Sequence, residues 1–125
     1  MTENEIAKII VDCAYKVHYK LGPGLLESVY RECLLFEMKK AGLKALKEVP
    51  ISVVYDEIKM DCGFRADIIA EEKVVVEVKA VEALNSVFLA QTLTYLRLTN
   101  CKLGLLINFH VIKIKDGIKR VVNGL

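Results

Sequence analysis

The apolar residues in the first third of the chain recur every three or four positions, a spacing typical of amphipathic helices. They predict a first helix from about Glu3 to Leu21. Gly22-Pro23-Gly24 then favours a tight turn, and a second helix is predicted from Leu25 to about Ala41, ended by Gly42. The apolar stripe of the first helix consists of Ile6, Ile9, Ile10, Cys13, Val17 and Leu21.

Some polar residues of these helices are candidates for a functional role. Glu27 falls in the first turn of the second helix, where the free backbone amides and the helix dipole favour a carboxylate. Tyr30 and Arg31 follow three and four residues later and share its face. His18 borders the apolar stripe of the first helix, where a structural histidine is more common than a metal ligand.

The middle of the chain predicts a sheet. Val49–Tyr55 and Ile58–Cys62 are predicted strands, and they lead to two arms rich in β-branched residues. These arms, Phe64–Ala70 and Val74–Ala80, are joined by the polar triplet Glu71-Glu72-Lys73. Because hairpins commonly have three-residue connections, the two arms predict a β-hairpin.

Pairing outward from Glu72 defines the register of this hairpin. Asp67 then lies opposite Glu77, and Arg65 opposite Lys79, with all four side chains on one face. The other face is predicted to be wholly apolar and to pack against the helices. Its residues are Phe64, Ala66, Ile68 and Ala70 on one arm and Val74, Val76, Val78 and Ala80 on the other.

The paired carboxylates suggest chemistry. Opposed like charges destabilise a sheet, so Asp67 and Glu77 call for a compensating cation, and Lys79 points to the same face. Carboxylates on rigid neighbouring strands are the ligands that a hard divalent metal requires. The alternative is a solvated outer face whose charges pair, the more common case for any single residue. Glu77 and Lys79 interrupt a run of valines, however, where a charge needs a partner or a purpose.

The last third of the chain predicts one more helix and a strand. The helix spans Val81 to Thr99, and Lys102–Asn108 is a short buried strand. Val111–Ile114 and Ile118–Val122 predict a small C-terminal hairpin around an Asp-Gly turn. The order ααβββαβ followed by this hairpin indicates an α/β or α+β fold, with a central mixed sheet flanked by helices.

Composition limits the classes of protein. The 125 residues suit a single domain, residues 1–125, with one core. The net charge of +2 is too small to identify a nucleic-acid binder. The cysteines never approach C-x-x-C spacing, which argues against zinc and iron–sulfur sites. No apolar run reaches the ~18 residues of a membrane span and the N-terminus is polar, so a cytoplasmic location without a membrane partner is expected. Two local basic runs suit phosphate contact and simple solubility equally: Lys39, Lys40, Lys44 and Lys47, and Lys113, Lys115, Lys119 and Arg120.

Several motifs occur together in one order. Asp67, followed by Glu77-Val78-Lys79, resembles the D…(D/E)-x-K signature of the PD-(D/E)xK nuclease superfamily. Gly24-Leu25-Leu26-Glu27-Ser28-Val29-Tyr30 matches the G-x-x-E-x-x-Y motif that names a family within it. Gln91-Thr92-Leu93-Thr94-Tyr95 resembles the Q-x-x-x-Y helix motif of exonuclease-like branches, and residues 103–109 are similar to the last core strand of the G-x-x-E-x-x-Y family. The resemblance covers nearly the whole chain.

This resemblance implies a restriction-endonuclease-like core and metal-assisted hydrolysis of phosphodiester bonds, most simply those of DNA. Asp67 and Glu77, with the backbone carbonyl of Val78, would hold Mg²⁺ or Mn²⁺. Lys79 would orient the attacking water or stabilise the transition state. Glu27 would be a further metal ligand or a water-positioning base. The residues expected to support the site are Gln91, Tyr95 and Tyr30.

Fold membership does not determine activity, so a second class of function stays open. The same residues could form an ion-pair network in a catalytically silent module that binds nucleic acid or a protein partner. A third interpretation is a metal-dependent regulatory domain that acts only inside a larger complex. The presence of both acids with the lysine favours the nuclease, and Ala66, where the superfamily name has proline, removes no ligand. The choice of DNA or RNA, the mode of cleavage and the oligomeric state, including a homodimer, stay open.

Overall fold

The computed structural model describes residues 1–125 as three α-helices and a five-stranded sheet. The helices are α1 (Glu3–Leu21), α2 (Glu27–Lys40) and α3 (Ser86–Thr99), and the strands are β1 (Ala45–Tyr55), β2 (Ile58–Ala70), β3 (Val74–Lys79), β4 (Leu103–Asn108) and β5 (Ile118–Val122). The strands lie in chain order across the sheet, with β3 and β4 parallel and the other neighbours antiparallel. The predicted α+β class with a mixed sheet is confirmed. No helix combines the length and the apolar character that crossing a membrane requires.

Local capping determines where α1 and α2 lie. Thr2 and Glu5 form a reciprocal cap at the start of α1, in which each side chain accepts the other residue's backbone N–H. The helix α2 begins at Glu27, two residues after its predicted start, and Glu27 occupies the first turn as expected. After α2, Gly42 has a φ of 92°, and the next N–H, from Leu43, returns to the carbonyl of Met38.

Both faces of the sheet are covered by helices. The helices α1 and α2 pack on one face, where Val74, Val76 and Val78 are buried as predicted. The helix α3 packs on the other face, against Ile69 and Val75. The face that was predicted to be charged is therefore largely buried as well.

The alternation of faces along β2 breaks at Asp67. Ala66 belongs to the core beneath α3, whereas Ile68 belongs to the core beneath α1 and α2, although two residues apart in a strand normally share a face. Between the pairs Lys47–Ile68 and Val49–Ala66 of β1 and β2, Glu48 and Asp67 are left without a backbone pair, and the φ of Glu48 is 50°. Left-handed backbone at a non-glycine residue is strained and twists the strand locally. Both strands exchange their faces at this point.

This exchange overturns part of the predicted register. The pairing of β2 with β3 ends at Ile68 and Val76, and Arg65 pairs with Pro50 of β1, so the prediction that Arg65 lies opposite Lys79 is wrong. The prediction that Phe64 belongs to the core with Ile68 is also wrong, because its side chain is 44% exposed. Sequence alternation assumes an unbroken period of two, which the twist at Glu48 violates.

Three element boundaries also differ from their predictions. The strand β1 starts at Ala45 rather than Val49. It continues through Pro50 because β1 is an edge strand, where the missing N–H of a proline costs no ladder hydrogen bond. The predicted strand Ile58–Cys62 and the first hairpin arm are one strand, β2. The helix α3 starts at Ser86 rather than Val81, because Asn85 caps it through the Phe88 N–H.

The predicted C-terminal hairpin is absent. Its first arm is replaced by a loop and a short 3₁₀ helix, Ile114–Gly117. The second arm is β5, which pairs with β4 and extends the main sheet. Gly117 lies so close to the carbonyl oxygen of Asn108 that a Cβ atom there would be 2.1 Å away. Because glycine has no Cβ atom, the chain can pass this close to the end of β4 before β5 pairs with that strand.

Candidate active site

The carboxylates of Asp67 and Glu77 lie where β2 and β3 separate. One residue beyond the last backbone pair, the Asp67 N–H donates to Glu77 Oε2 at 2.8 Å. The Val78 N–H donates to Asp67 Oδ2, also at 2.8 Å. Each carboxylate thus replaces a carbonyl of the β ladder as the acceptor for the opposite strand. The structure brings the two acids together as predicted, and one oxygen of each is left for another partner.

The electrostatic surroundings of the acid pair favour a cation. Glu77 is only 4% exposed, and this burial, together with the negative charge of Asp67, raises its pKa to about 8. Burial also raises the pKa of Asp67, although the Val78 N–H and the positive charges of Lys79 and Arg31 oppose the effect. Two buried acids with raised pKa values are costly to ionise together, so a bound cation or a proton would stabilise them.

Lys79 lies near the acid pair without neutralising it directly. Its positive charge lowers the pKa of both Asp67 and Glu77. The ammonium Nζ lies 4.8 Å from the ring centroid of Phe88 in α3, a cation–π contact, and no ion pair joins it to either acid. Phe88 was not predicted as a site residue, because in the sequence it is one apolar residue among several in a predicted helix.

Arg31 is a second cation of the site. Its Nη1 lies 4.0 Å from Asp67 Oδ1 and its Nη2 lies 3.5 Å from Glu48 Oε1. The Nε atom is buried and has no hydrogen-bond partner in the chain. Sequence reasoning noted that Arg31 shares a face with Glu27 but assigned it no role. The sequence could not show that Arg31 lies beside Asp67, because this depends on how α2 packs against the twisted part of β2.

The residues Glu27 and Tyr30 have different surroundings. Tyr30 is fully buried and stacks on Phe109, with ring centroids 4.7 Å apart. Its hydroxyl donates to the Gly22 carbonyl at 2.6 Å and accepts the Leu25 N–H at 3.1 Å, so it holds the turn before α2. Glu27 is exposed, and its charge is close enough to raise the pKa of Glu77. Tyr30 therefore supports the turn that places Glu27, and the structure gives it no contact with the acids.

The helix α3 brings its two motif residues to the same region. Tyr95 is 7% exposed and packs in the same core cluster as Ala66, the neighbour of Asp67, and burial and the charges of Glu77 and Asp67 raise its pKa. Gln91, one turn earlier, is half-buried and lines a small cavity together with Tyr95 and Phe64. Phe64 is a residue that sequence reasoning had assigned to the core.

His18 lies elsewhere. Its Nε2 is 2.7 Å from the backbone carbonyl of Val111, and since a carbonyl can only accept, this nitrogen carries the proton. The bond joins the last turns of α1 to the segment after β4. The geometry supports the structural reading of this histidine over metal binding.

The donor set fits a divalent metal only in part. No group of three or more His, Cys, Asp or Glu side chains is arranged to hold a metal ion. The available donors are Asp67 Oδ1 and Glu77 Oε1, which accept no backbone hydrogen bond. The N–H and C=O of one residue in a strand point to the same side, so the carbonyl of Val78 faces the gap that its N–H enters. Three hard oxygen donors, two of them on the acids themselves, suit a divalent metal.

Comparisons with known proteins agree with this geometry. No curated protein and no solved structure matches the chain. A family model, described as the PD-(D/E)XK nuclease superfamily, matches residues 4–121. This range contains all helices and strands except the first residue of α1 and the last residue of β5. This match spans far more than half of the chain, and we conclude that the protein belongs to the PD-(D/E)XK nuclease superfamily and has its restriction-endonuclease-like fold.

Proposed function

We propose that the protein is a divalent-metal-dependent nuclease that hydrolyses phosphodiester bonds of DNA, and that it belongs to the G-x-x-E-x-x-Y family of its superfamily. The observation that supports this most is the acid pair. Asp67 and Glu77 are held by reciprocal hydrogen bonds at the separation of β2 and β3, and burial and the charge of Asp67 raise the pKa of Glu77 to about 8. Preorganised acids with strongly raised pKa values are typical of catalytic sites.

The metal would be Mg²⁺ or Mn²⁺, and when bound it would supply Lewis-acid polarisation of the phosphate. Asp67, Glu77 and the Val78 carbonyl would hold it, because each acid keeps one oxygen free of backbone hydrogen bonds and the Val78 carbonyl is on the side of β3 that its N–H shares. Glu27, on the first turn of α2, would be a further ligand or would position the attacking water through its exposed carboxylate. These groups lie on helix α2 and on strands β2 and β3, and regular elements limit the loss of entropy on binding.

Lys79 would act on the reacting groups. Its ammonium is held over Phe88 but forms no ion pair, so its charge stays available for the nucleophile or for a phosphate oxygen. Gln91 and Tyr95 would line the substrate side from α3. Tyr30 would support the site indirectly, through the turn before α2.

The alternative is a catalytically silent module that binds nucleic acid or a protein partner. The observation that favours it is the absence of any group of three metal-binding side chains. In that case Arg31 and Lys79 would serve as permanent counter-charges of the acid pair. The two functions differ in whether a metal is bound and a phosphodiester bond is cleaved.

A cleavage assay separates these functions. Purified protein would be incubated with single-stranded, duplex and branched DNA, and with RNA, in Mg²⁺ or Mn²⁺. We expect metal-dependent cleavage of DNA that is lost in Asp67→Asn and retained in Glu57→Gln, which alters an exposed acid at the far end of the β1–β2 hairpin. An inactive wild type on every substrate and metal would support the silent module.

A further inference from the structure

A small cavity opens beside the acid pair, between α3 and the part of the β1–β2 hairpin that extends past the exchange of faces. Its volume is about 260 Å³, enough for a single nucleobase. Tyr95 forms part of its wall and packs in the same core cluster as Ala66, the residue before Asp67. The residues that line it are Val53, Phe64, Gln91, Thr94, Tyr95 and Leu98.

The cavity has an aromatic wall, of which the ring of Phe64 is partly open to solvent. Phe64 is 44% exposed, although it is a large apolar side chain on a strand. Its ring centroid is 6.5 Å from that of Tyr95, and the two ring planes are inclined at 59°. Exposed aromatic rings beside a nucleic-acid path are the usual stacking platforms for unpaired bases, because every base has a π face.

The cavity also has one polar group suited to a base edge. The carboxamide of Gln91 has both donor and acceptor atoms, the combination that base edges present. The hydroxyl of Thr94 is already used, since it donates to the carbonyl of Ala90 at 3.0 Å. Beside the single hydroxyl of Tyr95, Gln91 is therefore the wall residue that offers both a donor and an acceptor atom to the edge of a base that stacks on Phe64.

We propose that this cavity binds one unpaired nucleobase of the substrate, next to the phosphodiester bond held at the acid pair. A base in a duplex has both faces stacked and its edge paired, so it could not enter. The substrate class is then single-stranded DNA, or duplex DNA with an unpaired end or flap. The inference rests on the proposed nuclease function for the position of the bond, and on the cavity alone for the binding of the base.

The test combines variants of the protein with DNA oligonucleotides that lack a single base. Binding of single-stranded DNA oligonucleotides would be measured by fluorescence anisotropy in the presence of Ca²⁺, with an abasic residue at each position in turn. We expect one position at which the abasic residue weakens binding to wild type about tenfold, the size of one stacking contact. Phe64→Ala should weaken binding of the intact oligonucleotide by a similar factor and abolish the abasic effect. Phe64→Trp should retain both.

The control is Phe36→Ala, which removes another exposed phenylalanine, on α2 and outside the cavity. It should bind as wild type does. Circular dichroism melting would check the fold of each variant, and the exposure of Phe64 predicts little change. Equal binding by wild type and Phe64→Ala, or an abasic effect that persists in Phe64→Ala, would overturn the cavity's role.

Cleavage by the wild type, measured in parallel with Mn²⁺, distinguishes the two proposals. Base-sensitive binding without any cleavage would reject the nuclease and keep the base site. Cleavage that is independent of Phe64 and of the abasic position would keep the nuclease and reject the base site. Absence of single-strand binding would reject the base site directly.

Discussion

At the scale of single residues, the site combines strong positioning with incomplete charge balance. Asp67 and Glu77 are each held by a backbone N–H of the opposite strand, whereas the cations approach them only at a distance. Charge–charge interactions are strong at buried positions. Single substitutions at this site should therefore have measurable effects on the proposed activity and on the melting temperature, and the two effects can be compared.

Lys79→Ala should abolish cleavage and leave metal and DNA binding intact, because the ammonium acts on the nucleophile or the transition state. Activity, Mn²⁺ binding by calorimetry and the melting temperature would be compared with those of Lys102→Ala, which removes an exposed lysine before β4. Activity equal to wild type would refute the catalytic role. If the variant instead melted much earlier without metal, Lys79 would be a structural counter-charge of the acids.

The raised pKa of Glu77 predicts how stability depends on pH. A carboxyl whose pKa is about 8 in the folded protein binds its proton more tightly there than in the unfolded chain. Its contribution to stability is therefore complete below the ordinary pKa of glutamate and is lost as pH rises through about 8. The metal-free melting temperature should decrease from pH 5 to pH 9, by about the same amount in Glu57→Gln but much less in Glu77→Gln. An increase over this range would contradict the assignment.

At the scale of elements, the turn between α1 and α2 explains the spacing of the G-x-x-E-x-x-Y motif. The tyrosine lies one turn inside α2 and reaches back to two backbone groups of the turn. The first turn of α2, which carries Glu27, is thereby held against the core through the stacked ring of Phe109. The motif is therefore a structural unit, whatever the proposed role of Glu27 in catalysis.

Tyr30→Phe should keep the stacked ring but leave the Gly22 carbonyl and the Leu25 N–H without their partner. We expect a loss of about 1–3 kcal/mol in the free energy of unfolding, measured by urea denaturation. Activity should also decrease, because Glu27 would be less well placed. Tyr19→Phe, on a side chain that is 92% exposed, is the control and should change neither quantity. An unchanged stability in Tyr30→Phe would show that water replaces the hydroxyl.

At the scale of the whole molecule, the site is assembled from both sides of the sheet. The helix α2 contributes Glu27 and Arg31 from one side, and α3 contributes Phe88 and Tyr95 from the other. The exchange of faces at Asp67 lets one carboxylate be reached from both layers. A ligand bound there should therefore stabilise the entire fold.

Mn²⁺ should raise the melting temperature, because a ligand that binds only the folded state stabilises it by mass action. At a free concentration of about 100 times the dissociation constant, the stabilisation would be roughly 2.7 kcal/mol. Asp67→Asn should lose most of this effect, whereas Asp12→Asn, on the exposed face of α1, should retain it. Equal stabilisation of wild type and Asp67→Asn would place the metal elsewhere.

Local sequence patterns determined much of this architecture. The helix α1 has its predicted bounds, and β3 and β4 differ from theirs by one residue. The hairpin pairs Ile68–Val76 and Ala70–Val74 also follow the predicted register. These features depend on capping, apolar periodicity and a short connection, all of which act between residues close in sequence. The juxtaposition of Asp67 and Glu77 follows from the same register.

Only the tertiary structure decided the rest of the site. The φ of 50° at Glu48 exchanges the faces of β1 and β2, so Phe64 moves from the expected core to the cavity beside Tyr95. The position of Arg31 beside Asp67 requires α2 to pack on the twisted strand. Neither feature has a local signal, because strand twist and helix packing result from contacts between residues that are distant in the chain.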